Sequence, residues 1–143
     1  MTLVVTEATS EADLAHCLAL RRRVFIEEQN VPEADDLDGR DATAIHLLGR
    51  LDGTPVAALR LRLLPPYGKV ERVCVLPEAR GTGAGAALMA AALERLRAEP
   101  AITTAKLGAQ LSAVGFYDRL GFSPVGEDYL DAGIPHRDMV RAL

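Results

Sequence analysis

The residues best placed to do chemistry surround one turn. Arg80-Gly81-Thr82-Gly83-Ala84-Gly85-Ala86 follows the apolar run "RVCVL" and opens an alanine-rich helix. Its backbone N–H groups carry few bulky side chains and stand at a helix start, where the macrodipole favours negative charge, so a phosphate is the expected ligand. Three phosphate motifs can be tested on it. A P-loop needs Lys-Ser or Lys-Thr after its second glycine, and Ala86 and Ala87 stand there instead. The dinucleotide fingerprint GxGxx(G/A) is formally met by Gly81, Gly83 and Ala86. That motif belongs near the start of a parallel sheet, with an acidic residue about 20 positions on, whereas here a hairpin precedes it and the next strand ends in Gly108-Ala109-Gln110. The third pattern, (Arg/Gln)xxGx(Gly/Ala), is met by Arg80, Gly83 and Gly85 directly after an apolar strand.

The elements that must position this turn can be read from periodicity. "LVVTEA" is expected as a first strand, and Ser10 as the N-cap of a helix over about 11–28, whose buried stripe is Leu14, Cys17, Leu18, Arg21, Phe25 and Glu28. The arginine and glutamate on that stripe need partners or a ligand. "EEQNVPEADDLDGRD" reads as an acidic loop. "AIHLLGRL" and "PVAALRLRLL" make a hairpin turning at Asp52-Gly53, and "KVERVCVL" adds a third strand beyond "PPYG". A helix over 86–97, a strand "TTAKLGAQ", a short helix "SAVGFYDRL" and two last strands around "FSPVGEDYL" and "IPHRDMVRAL" follow.

With 143 residues, 49% hydrophobic and 25% charged, the chain is expected to form a single domain, 1–143. A net charge of −4 points away from nucleic acid, and Arg21-Arg22-Arg23 is read as one side of a helix. Cys17 and Cys74 stand in unrelated segments, forming neither a redox pair nor a zinc set, which fits a reducing compartment. No window approaches the roughly 18 to 20 apolar residues of a membrane span, so a soluble, cytoplasmic protein without membrane partners is expected. The run "EADDLDG" fails as a calcium loop, because aligning Gly39 with the invariant glycine puts Ala34 first and Ile45 last. No metal is expected, and these carboxylates are read by default as a solvated face, with attraction of a cationic acceptor or capping of the loop as the alternatives. His46 alternates with Ile45 and Leu47 and is expected to face outward, without a role.

The third glycine pattern resembles the signature turn of the GNAT superfamily of N-acetyltransferases. "AVGFYDRLGF", residues 113–122, resembles that family's second signature, and "LRRRVFIEEQNVPEADDLDGRD" and "GIPHRDM" resemble the ElaA-like subgroup. The resemblance covers nearly the whole chain. It implies an α/β (α+β) fold: a mixed, mostly antiparallel sheet of six to seven strands, splayed between strands 4 and 5, with helices on both faces. It implies acetyl-CoA as acyl donor, with pantetheine along Val73, Cys74 and Val75. Pyrophosphate would lie on Arg80, Gly81, Thr82, Gly83, Ala84, Gly85 and Ala86, with further contacts from Gln110, Phe116 and Tyr117.

Transfer to an amine requires a neutral nucleophile, stabilisation of the carbonyl oxygen and a proton for the thiolate. By the resemblance, the backbone N–H of Val73 serves the oxygen and Tyr117 is the general acid. Glu71, on the strand entering the turn, and Glu28, on the helix stripe, are the candidate bases, although either would also serve as an ion-pair partner for nearby arginines. Phe25, Glu28, Gln29 and His136 are expected to line the site of a small-molecule or peptide amine. Cys74, flanked by valines, is a poor acyl carrier, so direct transfer is expected. The alternatives are a non-catalytic acyl-CoA sensing domain and, further off, a small NAD(P)-binding oxidoreductase; the assembly is a monomer or homodimer.

Overall fold

The computed structural model describes residues 1–143. Strands β1 (Leu3–Glu7), β2 (Ile45–Leu51), β3 (Thr54–Leu64), β4 (Tyr67–Val75), β5 (Thr104–Gln110), β6 (Ser123–Asp131) and β7 (Ile134–Ala142) join in one sheet. Their spatial order is β1-β2-β3-β4-β5-β7-β6. Every neighbouring pair is antiparallel except β4 and β5. A parallel pair needs a long crossover, which helix α3 (Ala84–Arg97) supplies, starting slightly earlier than its alanine content alone suggests.

The parallel ladder is short. It runs from Tyr67 opposite Thr104 to Val70 opposite Leu107 and stops there. Beyond it, the register of β4 against β3 slips between Ala58 and Arg60, and Arg72 takes a left-handed φ of 56°. An extra residue on one strand bends it and sharpens its twist, so β4 swings away from β5 and the expected splay opens.

Each face of the sheet has its own apolar cluster. On one, Leu88, Met89, Ala92, Leu93 and Leu96 of α3 pack against Leu59, Leu61, Val70 and Leu107. On the other, Cys17, Leu20 and Val24 pack against Leu48, Ala58 and Cys74. Gly68 is a glycine because Leu96 occupies the space a Cβ would need.

Helix α1 (Glu11–Arg21) starts where Ser10 Oγ accepts the Asp13 N–H at 3.1 Å. It does not run on as an α-helix to Glu28. Residues Arg22–Glu28 form a π-helical segment, with the Gln29 N–H donating to the Val24 carbonyl at 3.2 Å. The expected stripe shifts accordingly: Leu20, Arg21 and Val24 are buried, while Leu18 and Glu28 are exposed. The three consecutive arginines do not share a side, since successive helical residues turn by about 100°. Arg21 is sealed inside, and Arg22 and Arg23 point outward to Glu33 and Glu78. His46 also departs from expectation: it is buried and its Nε2 donates to the Asp41 carbonyl at 2.9 Å. Strand alternation puts a residue on the other face, and here both faces are covered.

Candidate active site

The splay forms one wall of a cavity of about 630 Å³. The unpaired edge of β4 from Glu71 to Val75 lies on one side, and Leu107, Gly108 and Gln110 of β5 on the other. The glycine turn and Phe116 and Tyr117 of α4 (Val114–Arg119) close one end. Phe25, Gln29, Asp35 and Asp36 and the β6–β7 hairpin, with Tyr129, Asp131 and His136, surround the other.

The turn has the properties of an anion site. Gly83 caps α3 with φ 88° and no side-chain acceptor, so the first N–H groups of the helix are left without an internal partner. Gly81 has φ 80°, a second left-handed position that favours glycine. At Gly85 a Cβ would press to 3.3 Å from Phe116 Cζ. A diphosphate would fit these open donors and the glycines that bare them. Of the expected turn residues, Thr82 does not line the cavity; its hydroxyl donates to the Ala79 carbonyl. Arg80 lines it, but its guanidinium is spoken for: Nε donates to the Val75 carbonyl at 3.1 Å, and Nη1 and Nη2 hold Glu28 at 2.9 and 2.8 Å.

Tyr117 stands edge-to-face with Phe116 and Phe122, with ring centroids 5.0 and 6.0 Å away. Its ring lines the cavity and only 7% of the residue is exposed, yet its hydroxyl has no hydrogen-bond partner in the chain. Burial raises its pKa, which keeps the phenol protonated. Val73 and Val75 also line the cavity, and Arg72 and Val73 drop out of register with β3 at the bulge. Cys74 faces the α1 side, 3% exposed, and burial pushes its thiol up to about 12. A thiol in that state supplies almost no thiolate, which argues against an acyl-cysteine.

Neither candidate base is free. Glu71 accepts from Arg62 Nε at 2.7 Å and from Arg60 Nη2 at 3.0 Å, with Lys69 Nζ at 3.8 Å. Burial alone would raise its pKa, but the Arg62 hydrogen bond and the two guanidinium charges outweigh it and hold the carboxyl below its ordinary range. Glu28 lies outside the cavity lining, and the hydrogen bond from Arg80 lowers its pKa.

The acidic loop is not a solvated face. Asp36, in the single helical turn α2 (Glu33–Asp36), is buried against Arg21, with contacts at 3.3 Å to the carboxylate and 2.8 Å to its backbone carbonyl. Asp41 bridges Arg21 at 2.6 Å and Arg60 at 3.1 Å, and Asp38 takes both Arg60 Nη atoms at 2.8 Å. These pairs pin the loop beside the cavity, whose lining includes Asp35 and Asp36. Charge counts for this loop are readable in the sequence but pairing partners are not, since these come from α1 and β3, 15 to 22 residues away.

Gln29 and Gln110, distant in sequence, meet here: Gln110 Nε2 donates to Gln29 Oε1 at 2.8 Å. Phe25 and His136 line the same space. Tyr129 was not foreseen. It stacks on His136 with ring centroids 5.8 Å apart and donates to Asp138 at 2.7 Å, its hydroxyl lying where Gly108 lacks a Cβ. A signal existed, because centring the last hairpin on Ala132-Gly133 puts Tyr129 opposite His136.

Residues 34–143 match the family model described as Acetyltransferase (GNAT) domain. A sheet splayed after a short parallel pair, with an uncapped glycine turn at the opening, is the architecture of that class, and the chain belongs to the GNAT family. Its likeness extends to ElaA of Escherichia coli, 38% identical over 140 residues, 94% of this chain and 90% of that protein. The ElaA crystal structure superposes with a TM-score of 0.87 at 32% identity, covering 98% of this chain and 99% of ElaA. The crystal structure of an acyl-CoA N-acyltransferase from Pseudomonas aeruginosa, 33% identical, gives 0.83 and covers 99% and 100% of the two chains. YjcF of Bacillus subtilis, an uncharacterized N-acetyltransferase, is 38% identical over 94% of this chain and 96% of its own.

Proposed function

We propose that this chain is an acetyl-CoA-dependent N-acetyltransferase that moves the acetyl group directly to an amine of a small molecule or peptide. One observation carries this reading: the unpaired β4 edge, the uncapped α3 N-terminus and the unpartnered Tyr117 hydroxyl open into the same cavity. Pantetheine amides would pair with the backbone of Val73 and Val75 as an added strand. The turn from Arg80 to Ala86 would hold the pyrophosphate on its N–H groups. The Val73 N–H would meet the negative charge developing on the thioester oxygen. Tyr117 would protonate the departing thiolate. A phenol whose pKa is raised by burial is a weaker acid, and desolvation in the same site would make the departing thiolate a stronger base.

The dinucleotide reading of the turn loses its context, since β2, β3 and β4 form an antiparallel meander and β4–β5 is the single parallel pair. The test is titration calorimetry with acetyl-CoA and with NAD, followed by release of free coenzyme A thiol on adding amines. Saturable acetyl-CoA binding with amine-dependent thiol release is expected. Absence of binding at high micromolar acetyl-CoA would sink the proposal, and binding without turnover would leave an acyl-CoA sensing domain.

A further inference from the structure

An amine that attacks a thioester must lose a proton, and the two carboxylates expected from the sequence to take it, Glu71 and Glu28, are held by arginines. We propose that His136 Nε2 takes that proton, an inference that rests on the acyl-transfer reading above.

The ring is built to do this. His136 Nδ1 lies 2.7 Å from the Ile134 carbonyl oxygen. A carbonyl only accepts, so the hydrogen sits on Nδ1, and in the neutral ring the lone pair sits on Nε2, which has no partner in the chain. The stack on Tyr129, 25° from parallel, fixes the ring plane. Tyr129 is itself anchored, donating to Asp138 Oδ1 at 2.7 Å over the bare backbone of Gly108. A carbonyl and an anchored phenol ring thus orient the imidazole from two sides.

Its position fits as well. His136 stands opposite Gln110 in the β5–β7 ladder, beyond the point where β4 and β5 part, and lines the same cavity as Val73 and Tyr117. Glu71 stands on the β4 side of the gap with its oxygens filled. The charged groups around the ring are Asp131 and Asp128 on β6 and Arg137 and Asp138 on its own strand; Gln110 faces it from β5. Arg137 lies 3.9 Å from Asp128, Asp138 lies 3.9 Å from Lys106, and no charged group bonds the ring. Asp35 and Asp131 also line the cavity, and both are exposed.

The step balances without any other reactant. The amine nitrogen forms a bond to the carbonyl carbon and gives its proton to Nε2 of His136. The carbon–sulfur bond breaks, the thiolate takes the Tyr117 proton, and solvent carries the His136 proton back to the phenolate. The products are the amide and the free thiol.

The test uses acetyl-CoA with a diamine, an arylalkylamine and an amino-acid amide as acceptors. His136→Asn keeps a donor for the Ile134 carbonyl and deletes Nε2, while His136→Ala leaves room for added imidazole. In both variants kcat should fall by about 10²-fold with acetyl-CoA affinity unchanged. The acid limb of the kcat/KM profile should vanish, and imidazole should restore rate to the alanine variant. Retained rate and acid limb in His136→Asn, or loss of rate that imidazole does not repair and that leaves the profile unshifted, would overturn the base role while leaving the acyl-transfer reading intact. If the wild-type chain does not bind acetyl-CoA, or binds it and turns over none of the three amines, both fall together.

Discussion

Tyr117 and Cys74 lie close together and are fated differently by what covers them. Each is buried and each has its pKa raised by desolvation. Cys74 is among the residues bordering the cavity, but it is buried against Leu20, Leu48 and Ala58, where a thiol serves as a small apolar group. Tyr117 has an unpartnered hydroxyl on a ring that lines the cavity, where a protonated phenol has something to donate to. Tyr117→Phe removes one oxygen and keeps both edge-to-face contacts. Its kcat is expected to drop by about 10²-fold or more while acetyl-CoA binds as before, measured by thiol release and calorimetry. Glu71 teaches the opposite lesson: a carboxylate lining the cavity neutralises Arg60 and Arg62, and its lowered pKa makes it a weak base.

At the scale of elements, the acidic loop beside the cavity is held by guanidinium groups beneath it. Arg60 is fully buried on β3 and binds Asp38, Asp41 and Glu71 at once. Removing one partner from a buried ion network strands the others, so Arg60→Met is expected to cost about 3–5 kcal/mol in urea unfolding. The same network makes stability depend on pH. Hydrogen bonds from Arg60 hold Asp38 low, and at Asp41 and Glu71 arginine contacts outweigh the burial that would raise them. A depressed folded pKa means stability that is complete above about pH 5 and drains as pH falls below about 4, where these carboxyls titrate when unfolded. The wild-type melting temperature should fall through that window, and less steeply in Arg60→Met. Much of this layout was legible in advance. The meander, the glycine turn, α4 and the final hairpin announce themselves by alternation, turn residues and helix formers. The π-helical turn did not, because inserting one residue into a helix leaves its composition unchanged. The burial of His46 and Asp36 was hidden for another reason: alternation separates two faces without saying whether either is dry. Phe25, Gln29, Gln110 and His136 were placed in the cavity region by resemblance, whereas Tyr129 required knowing which strand the hairpin returns on.

At the scale of the whole molecule, the sheet is two half-sheets, β1 to β4 and β5 to β7, joined along four residue pairs from Tyr67–Thr104 to Val70–Leu107. Gly68 sits inside that join with Leu96 and Ile102 resting on it. Gly68→Ala overpacks the spot and is expected to destabilise the fold by about 1–3 kcal/mol, read as a shifted urea midpoint at constant slope. The short join has a mechanical consequence. The geometry is that of jaws on a pivot, with the glycine in the join and Val73 and Gly108 lining the cavity beyond it. A wedge at the join is expected to alter the aperture between Val73 and Gly108 by leverage. On the acyl-transfer reading, selectivity among acetyl, propionyl and butyryl donors is expected to shift in Gly68→Ala, a change at a residue outside the cavity lining.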